Sequence, residues 1–124
     1  VRYREVYESF LPQKLKDKYR DEGKKYCGEA LRINPASEKI NYLLGVFHYR
    51  SPNPDDKIAR DYFLKVIEIN PLNADAFVSL AELYYRHENQ GKARLYAEKA
   101  LEADPTNPRA QKMVKYLDSK LEVK

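Results

Sequence analysis

Ala100-Leu101-Glu102-Ala103-Asp104-Pro105 repeats a phrase that the chain has used twice before, as Ala30-Leu31-Arg32-Ile33-Asn34-Pro35 and as Val66-Ile67-Glu68-Ile69-Asn70-Pro71. The three prolines stand 36 and 34 residues apart. Self-similarity at that period marks a helical array, in which modules unable to bury an apolar face alone stack on one another. Arrays of this kind usually bind other proteins along an extended concave surface and rarely carry out chemistry.

The stretch before the last of these phrases is the clearest unit. Asn73 caps a helix whose first turn carries Asp75, an anion placed at the positive helix end. Phe77, Leu80, Ala81 and Tyr84 recur at i, i+3, i+4 and i+7, the apolar stripe of an amphipathic helix. A turn is expected from His87 to Gly91. A second helix then presents Ala93, Tyr96, Ala97, Ala100 and Leu101 on one face and stops ahead of Pro105, because the residue before a proline avoids the helical region. Small residues at Ala81, Ala93, Ala97 and Ala100 let the two backbones approach, and Phe77 and Tyr84 fill what remains.

This pattern of aromatic, Leu, small, Tyr, then Ala, Ala, Ala and Pro resembles the tetratricopeptide repeat over residues 74–107. The resemblance implies a single domain, 1–124, folded as an all-α, right-handed superhelical stack of antiparallel helix pairs. Residues 38–73 read as a second copy with two extra residues. Its first helix carries Ile40, Leu44, Gly45, Phe47 and His48, with Asn41 standing where Phe77 stands. The insertion falls in Ser51-Pro52-Asn53-Pro54, where Asn53 reads as a cap and Pro54 as the first helical position. Ala59, Phe63, Val66 and Ile67 then match Ala93, Ala97, Ala100 and Leu101.

Residues 1–37 are a degenerate first unit. Gly23, Cys27, Ala30 and Leu31 align ahead of Pro35, but Pro12 interrupts Tyr7, Phe10 and Leu11. One reading keeps a helix pair; the other is a single long helix from Pro12 to about Ile33, with Leu15, Tyr19, Tyr26 and Ala30 along it. Residues 108–124 begin with a cap and a proline, Asn107-Pro108, and carry Ala110, Met113, Val114, Leu117 and Leu121. They are expected to form the capping helix that closes the array.

The bulk composition agrees with a soluble globular protein with well-solvated outer faces. Charged residues make up 34% and hydrophobic residues 43%, and eleven tyrosines with no tryptophan favour partly exposed aromatic positions. No apolar run approaches the ~18 residues of a membrane span, so this segment is not expected to insert in a membrane. The chain opens on Val1, which reads as a fragment or a processed form. The lone Cys27 forms no intramolecular disulfide and weakly favours a reducing compartment such as the cytoplasm. The net charge of +4 lies at the ends: residues 1–35 hold nine Lys/Arg against six Asp/Glu and residues 108–124 hold five against two, whereas residues 74–107 are acidic.

Candidates for chemistry are few. His48 and His87 lie 39 residues apart at non-equivalent repeat positions, with no cluster of metal-binding residues around them. His48 is expected to pack between helices as Tyr84 does one unit later. Cys27 sits at a small-residue packing position without a base nearby in the pattern, and Gly91-Lys92 lacks the rest of a phosphate loop. Asp55-Asp56 is an acid pair at a helix start. No enzyme, cofactor, metal or small-molecule substrate is expected.

In tetratricopeptide arrays the first helix of each pair lines the concave groove. The resemblance therefore places there Lys39, Tyr42, Val46, Tyr49 and Arg50 of one unit and Asp75, Val78, Glu82, Tyr85 and Arg86 of the next. Arg109, Lys112 and Tyr116 of the closing helix complete the face. Tyr49-Arg50 and Tyr85-Arg86 are the same pair at the same place, and Tyr and Arg dominate binding energy at many interfaces. The expected partner is a peptide or helix of another protein, with apolar side chains on the tyrosines and acidic ones on the arginines and Lys112. The bland alternative makes the tyrosines buttresses between helices and leaves the arginines solvated.

Family members that clamp the carboxy-terminal carboxylates of heat-shock chaperones use Lys, Asn and Arg at set positions. Here those positions hold Glu8, Pro12, Leu43, Asp75 and Ser79, so that subclass is not implied. Related repeats of about 35 residues read single-stranded RNA, but the Asp/Asn-Pro unit ends match the protein-binding family and the central units have no basic excess. Self-association through the tyrosine-rich face or an unfinished terminal unit is a further alternative.

Overall fold

A computed structural model describes residues 13–51 and 55–122, and the described residues contain helices and no strands. The helices are α1 (Gln13–Ile33), α2 (Glu38–Tyr49), α3 (Asp56–Ile69), α4 (Ala74–Arg86), α5 (Gln90–Ala103) and α6 (Pro108–Glu122). The expectations for Tyr7, Phe10, Leu11 and Pro12, and for Asn53 and Pro54, fall outside the described residues.

Of the two readings of the first unit, the long helix holds from Gln13 onward. Its packed side runs through the buried Cys27, and Phe47 of α2 rests against Gly23. Tyr19 and Tyr26, expected along this helix, are 53% and 69% exposed, because α2 packs on a face about a quarter-turn away.

Each later helix starts at a side-chain cap. Ser37 Oγ accepts from the Ile40 amide at 3.2 Å, Asn73 Oδ1 from Ala76 at 2.9 Å, Asn89 Oδ1 from Lys92 at 3.1 Å and Asn107 Oδ1 from Ala110 at 3.0 Å. At α3 the cap is Asp55, which accepts from Ile58 at 3.1 Å, so Asp56 is the first helical residue and the start lies two residues later than Asn53 would set it. The turn before α5 is also shorter than expected. It spans residues 87–89, with Glu88 at φ 61°, and Gly91 already lies inside the helix.

The closest packing joins α2 to α3 and α4 to α5. In the first pair Phe63 is fully buried, and its ring lies where a Cβ on Gly45 would be. In the second, Ala81 and Ala97 occupy those two places. His48 stacks on Tyr62 with 5.7 Å between ring centres, and Tyr84 stacks on Tyr96 at 5.4 Å, so the expected equivalence of His48 and Tyr84 holds. Asn41, where an aromatic stands one unit later, is buried and donates to the carbonyls of Pro35 (3.2 Å) and Ser37 (2.8 Å). It ties the turn to the helix where a ring would have filled space.

The pairs are joined at both ends. Glu38 accepts from Asn70 Nδ2 at 2.9 Å and Asn73 Nδ2 at 2.7 Å, and Asp75 accepts from Asn107 Nδ2 at 3.0 Å. At the opposite edge Arg86 and His87 bind Asp56 at 3.0 and 2.7 Å, and Arg94 binds Asp118 at 2.7 Å. Helix α6 rests on α4 and α5 through Ala110 and Leu117 and leaves Gln111, Lys115 and Asp118 exposed.

Candidate functional site

Helices α2, α4 and α6 are brought together on one face through side chains from all three. At its middle Arg109 of α6 donates to Tyr42 Oη of α2 at 3.1 Å and to Glu82 Oε1 of α4 at 3.0 Å, with Asp75 Oδ1 at 3.5 Å. Glu82 also accepts from Tyr49 Oη at 3.2 Å, and the Arg86 guanidinium lies 4.0 Å from the centre of the Tyr49 ring. Tyr85 and Tyr116 meet edge-on, 5.3 Å between ring centres, with their hydroxyls 3.0 Å apart. One continuous set of contacts thus links Tyr42, Tyr49, Glu82, Arg86 and Arg109.

The environment tunes these groups. Burial raises the Tyr49 phenol above its ordinary pKa; Arg86 opposes that rise and Glu82 adds to it. The shared hydrogen bond pushes Tyr85 up and Tyr116 down, and Lys120, over the Tyr116 ring at 5.1 Å, also favours the Tyr116 phenolate. Burial weighs against the Arg109 charge, but Tyr42 and Glu82 outweigh it and the net shift is upward.

The remaining expected residues fall in two classes. Lys39, Arg50 and Lys112 are exposed and have no side-chain partner among the described residues. Val46 is half-buried against Phe63, Leu80 and Leu83. Val78 departs from expectation: at 1% exposure it packs with Phe77, Ala100 and Ala110 and cannot meet a ligand. It lies under α6, which covers the side of α4 that a two-helix pattern leaves open. Arg86 and Arg109 are likewise already neutralised, the first by Asp56 and the second by Glu82 and Asp75. In the sequence Asp56 is only a helix-start acid; its partners lie 30 and 31 residues on, beyond any local pattern.

Two cavities flank the face. One of about 650 Å³ lies between the ends of α3, α4 and α5, with Asp55, Lys57, Arg60, Tyr84, His87 and Lys92 in its walls and none of the expected groove residues. The other, about 490 Å³, is lined by Tyr85, Arg86, Glu88 and Gln90. Among the described residues no three His, Cys, Asp or Glu side chains gather as a metal site, and no helix is long and apolar enough to cross a membrane. Cys27 is buried, which raises its thiol pKa.

The family model for the tetratricopeptide repeat matches residues 62–94, from the middle of α3 through α4 into α5. Residues 62–94 therefore carry a tetratricopeptide repeat. Among solved structures, the first tetratricopeptide repeat domain of Spaghetti (RPAP3), bound to the HSP90 peptide SRMEEVD, superposes with a TM-score of 0.74. The match is 15% identical and covers 87% of this chain and 84% of that one, a likeness of fold. No curated protein sequence matches the chain significantly. The tetratricopeptide fold is thus reached independently from the repeat spacing, from the family model and from the helix packing.

Proposed function

We propose that the face formed by α2, α4 and α6 holds a peptide or helical segment of a partner protein, and that the chain is a non-catalytic adaptor. The observation that carries this reading is the contrast between the centre of the face and its margin. At the centre Arg109, Glu82 and Tyr49 satisfy one another and hold the tyrosines in place, so little ordering cost is left for binding. Around it Lys39, Arg50 and Lys112 keep their charges unpaired among the described residues. A rigid aromatic floor with a cationic rim suits a segment with apolar side chains inward and acidic ones outward.

The solved neighbour holds the peptide SRMEEVD, which is acidic and partly apolar. In this chain Asp75, on the first turn of α4, is an anion, and Ser79 is buried beneath the surface. A chain-terminal carboxylate therefore gains nothing at those positions, and the proposed ligand is an internal segment. The test is fluorescence anisotropy with labelled acidic–apolar peptides, among them SRMEEVD with a free or an amidated terminus. The expected outcome is binding that ignores amidation and falls about tenfold or more in the Lys39→Glu/Arg50→Glu/Lys112→Glu variant, whose helical circular dichroism is unchanged. Affinity that depends on the free carboxylate, or survives the triple charge reversal, would refute the assignment.

A further inference from the structure

The chain holds eleven tyrosines, and those on the helix pairs spend their hydroxyls or rings on different partners. Tyr42 accepts from Arg109, Tyr49 donates to Glu82, Tyr62 stacks on His48, and Tyr84 stacks on Tyr96. Tyr85 of α4 and Tyr116 of α6 differ from these. Among the described residues they are the one pair of phenols whose hydroxyls bond each other, at 3.0 Å. Their rings meet edge-on at 74°, with 5.3 Å between centres, and Tyr116 is 44% exposed. The contact spans 31 residues of chain and ties the closing helix to the stack.

That arrangement is close to the geometry of a biaryl. When two phenols are joined through the carbons ortho to oxygen, their hydroxyls lie side by side and their ring planes are twisted apart. Tyr85 and Tyr116 already have both features, and the rings need to slide together by less than a carbon–carbon bond length. Holding two reacting groups in such a pose makes the joining step intramolecular, at an effective concentration that a second molecule does not supply. The shared hydrogen bond also favours loss of the Tyr116 proton, and Lys120, 5.1 Å from the ring centre, acts in the same direction. Tyr84 and Tyr96 are a built-in comparison. Their ring centres are 5.4 Å apart, but the planes are parallel and both residues are half-buried against Ala81, Ala93 and Ala97.

We propose that Tyr85 and Tyr116 form an oxidative modification site, at which a one-electron oxidant fed by hydrogen peroxide (a haem peroxidase) joins them as an intramolecular dityrosine that pins α6 to α4. Each phenol gives one electron to the oxidant and its O–H proton to water, leaving two phenoxyl radicals. The radicals pair through their Cε carbons. Each of those carbons then loses its hydrogen while the oxygen of its ring takes one back, which restores two phenols. One carbon–carbon bond forms and two ring C–H bonds break, and the two electrons and two protons released reduce one peroxide to two waters. The link restricts the unfolded chain as a disulfide would. It lies at the rim of the α2–α4–α6 face and does not depend on what that face binds.

The test treats the whole chain, dilute, with a haem peroxidase and an equimolar amount of hydrogen peroxide. Products are read by the blue emission of dityrosine, by intact mass and by mass spectrometry of the peptides. The expected product is a monomer lighter by two hydrogen atoms, with the peptides of Tyr85 and Tyr116 joined. Its emission falls about tenfold in Tyr85→Phe and in Tyr116→Phe and stays level in Tyr84→Phe and Tyr26→Phe. Phenylalanine keeps each ring in place, and circular dichroism checks that the fold is unchanged. The linked chain is expected to melt several degrees above the parent, because the bond constrains the unfolded state. Retained emission in Tyr85→Phe or Tyr116→Phe, dimers as the main product, a link at Tyr84–Tyr96, or no link at all overturns the proposal. So does a linked chain that melts no higher than the parent, since α6 would then gain nothing from the bond.

Discussion

Gly45 and Gly23 are both helical glycines facing a phenylalanine ring, and they are expected to respond to alanine in opposite directions. A Cβ on Gly45 would stand 2.6, 2.8 and 2.9 Å from three atoms of the Phe63 ring. Phe63 is 0% exposed, and Tyr42 lies against it with 5.6 Å between ring centres, so the ring has nowhere to move. Overpacking of this kind costs about 1–3 kcal/mol, against a gain of about 1 kcal/mol when alanine replaces glycine in a helix. The net expectation for Gly45→Ala is a loss of about 1 kcal/mol, or ~3–8 °C in Tm. At Gly23 the contact is the tip of Phe47, 2.7 Å away, on a half-buried ring that can tilt outward. There the helix gain prevails, and Gly23→Ala stabilises by up to about 1 kcal/mol. Urea titrations followed at 222 nm report both, with unchanged m-values confirming that stability alone has moved. Phe63→Leu should restore room beside the methyl group introduced by Gly45→Ala, so the double variant is more stable than the sum of the single changes by about 1 kcal/mol. A Gly45→Ala chain as stable as the parent, or one less affected than Gly23→Ala, would refute the packing argument.

Burial lowers the His48 pKa, with Lys24 adding to the shift and Asp55 opposing it, so the unfolded chain binds this proton more readily than the folded one. Stability from this group is complete above the unfolded value of about 6.5 and is lost as pH falls from there through the lower folded value. His48→Phe, which keeps the stack on Tyr62, should flatten that part of a pH series of urea melts; an unchanged slope would exclude His48 as its source. Asn73 both caps α4 and donates to Glu38, so Asn73→Ala is expected to cost about 1–2 kcal/mol in the same assay, and Asn73→Ser, which keeps only the cap, less.

The sequence carries those features that depend on spacing along the chain. The stripe of Phe77, Leu80, Ala81 and Tyr84 and the alanines of α5 define the helix pair, and the register of His48 with Tyr84 defines its stack. What it does not carry depends on a third helix. Val78 stands outside the Phe77–Leu80–Ala81–Tyr84 stripe and so looks free in the repeat pattern, but α6 lies over it; no pattern within residues 74–107 records that cover. Arg86 and Arg109 have the residue type of a ligand-binding cation, yet their acids are Asp56 and Glu82, about one repeat length away. Lys39, Arg50 and Lys112 remain unpaired because nothing of opposite sign among the described residues stands beside them across the neighbouring helices. On α1, Tyr19 and Tyr26 have the spacing of a core stripe, yet among the described residues no helix lies over them and both are mostly exposed.

The two kinds of tie at each junction of the stack respond differently to ionic strength. Along one edge, amides of Asn70, Asn73 and Asn107 hold Glu38 and Asp75 in partly buried contacts, where each bond joins a neutral donor to a charge. Along the other, Arg86 with Asp56 and Arg94 with Asp118 are exposed ion pairs. Salt screens the second set far more than the first, since the Debye length falls from ~10 Å at 0.1 M to ~3 Å at 1 M. The stack is therefore built like a fan pinned along its asparagine edge. Added salt is therefore expected to weaken the opposite edge first, while the apolar contacts among Val78, Ala100 and Ala110 keep the helix pairs together.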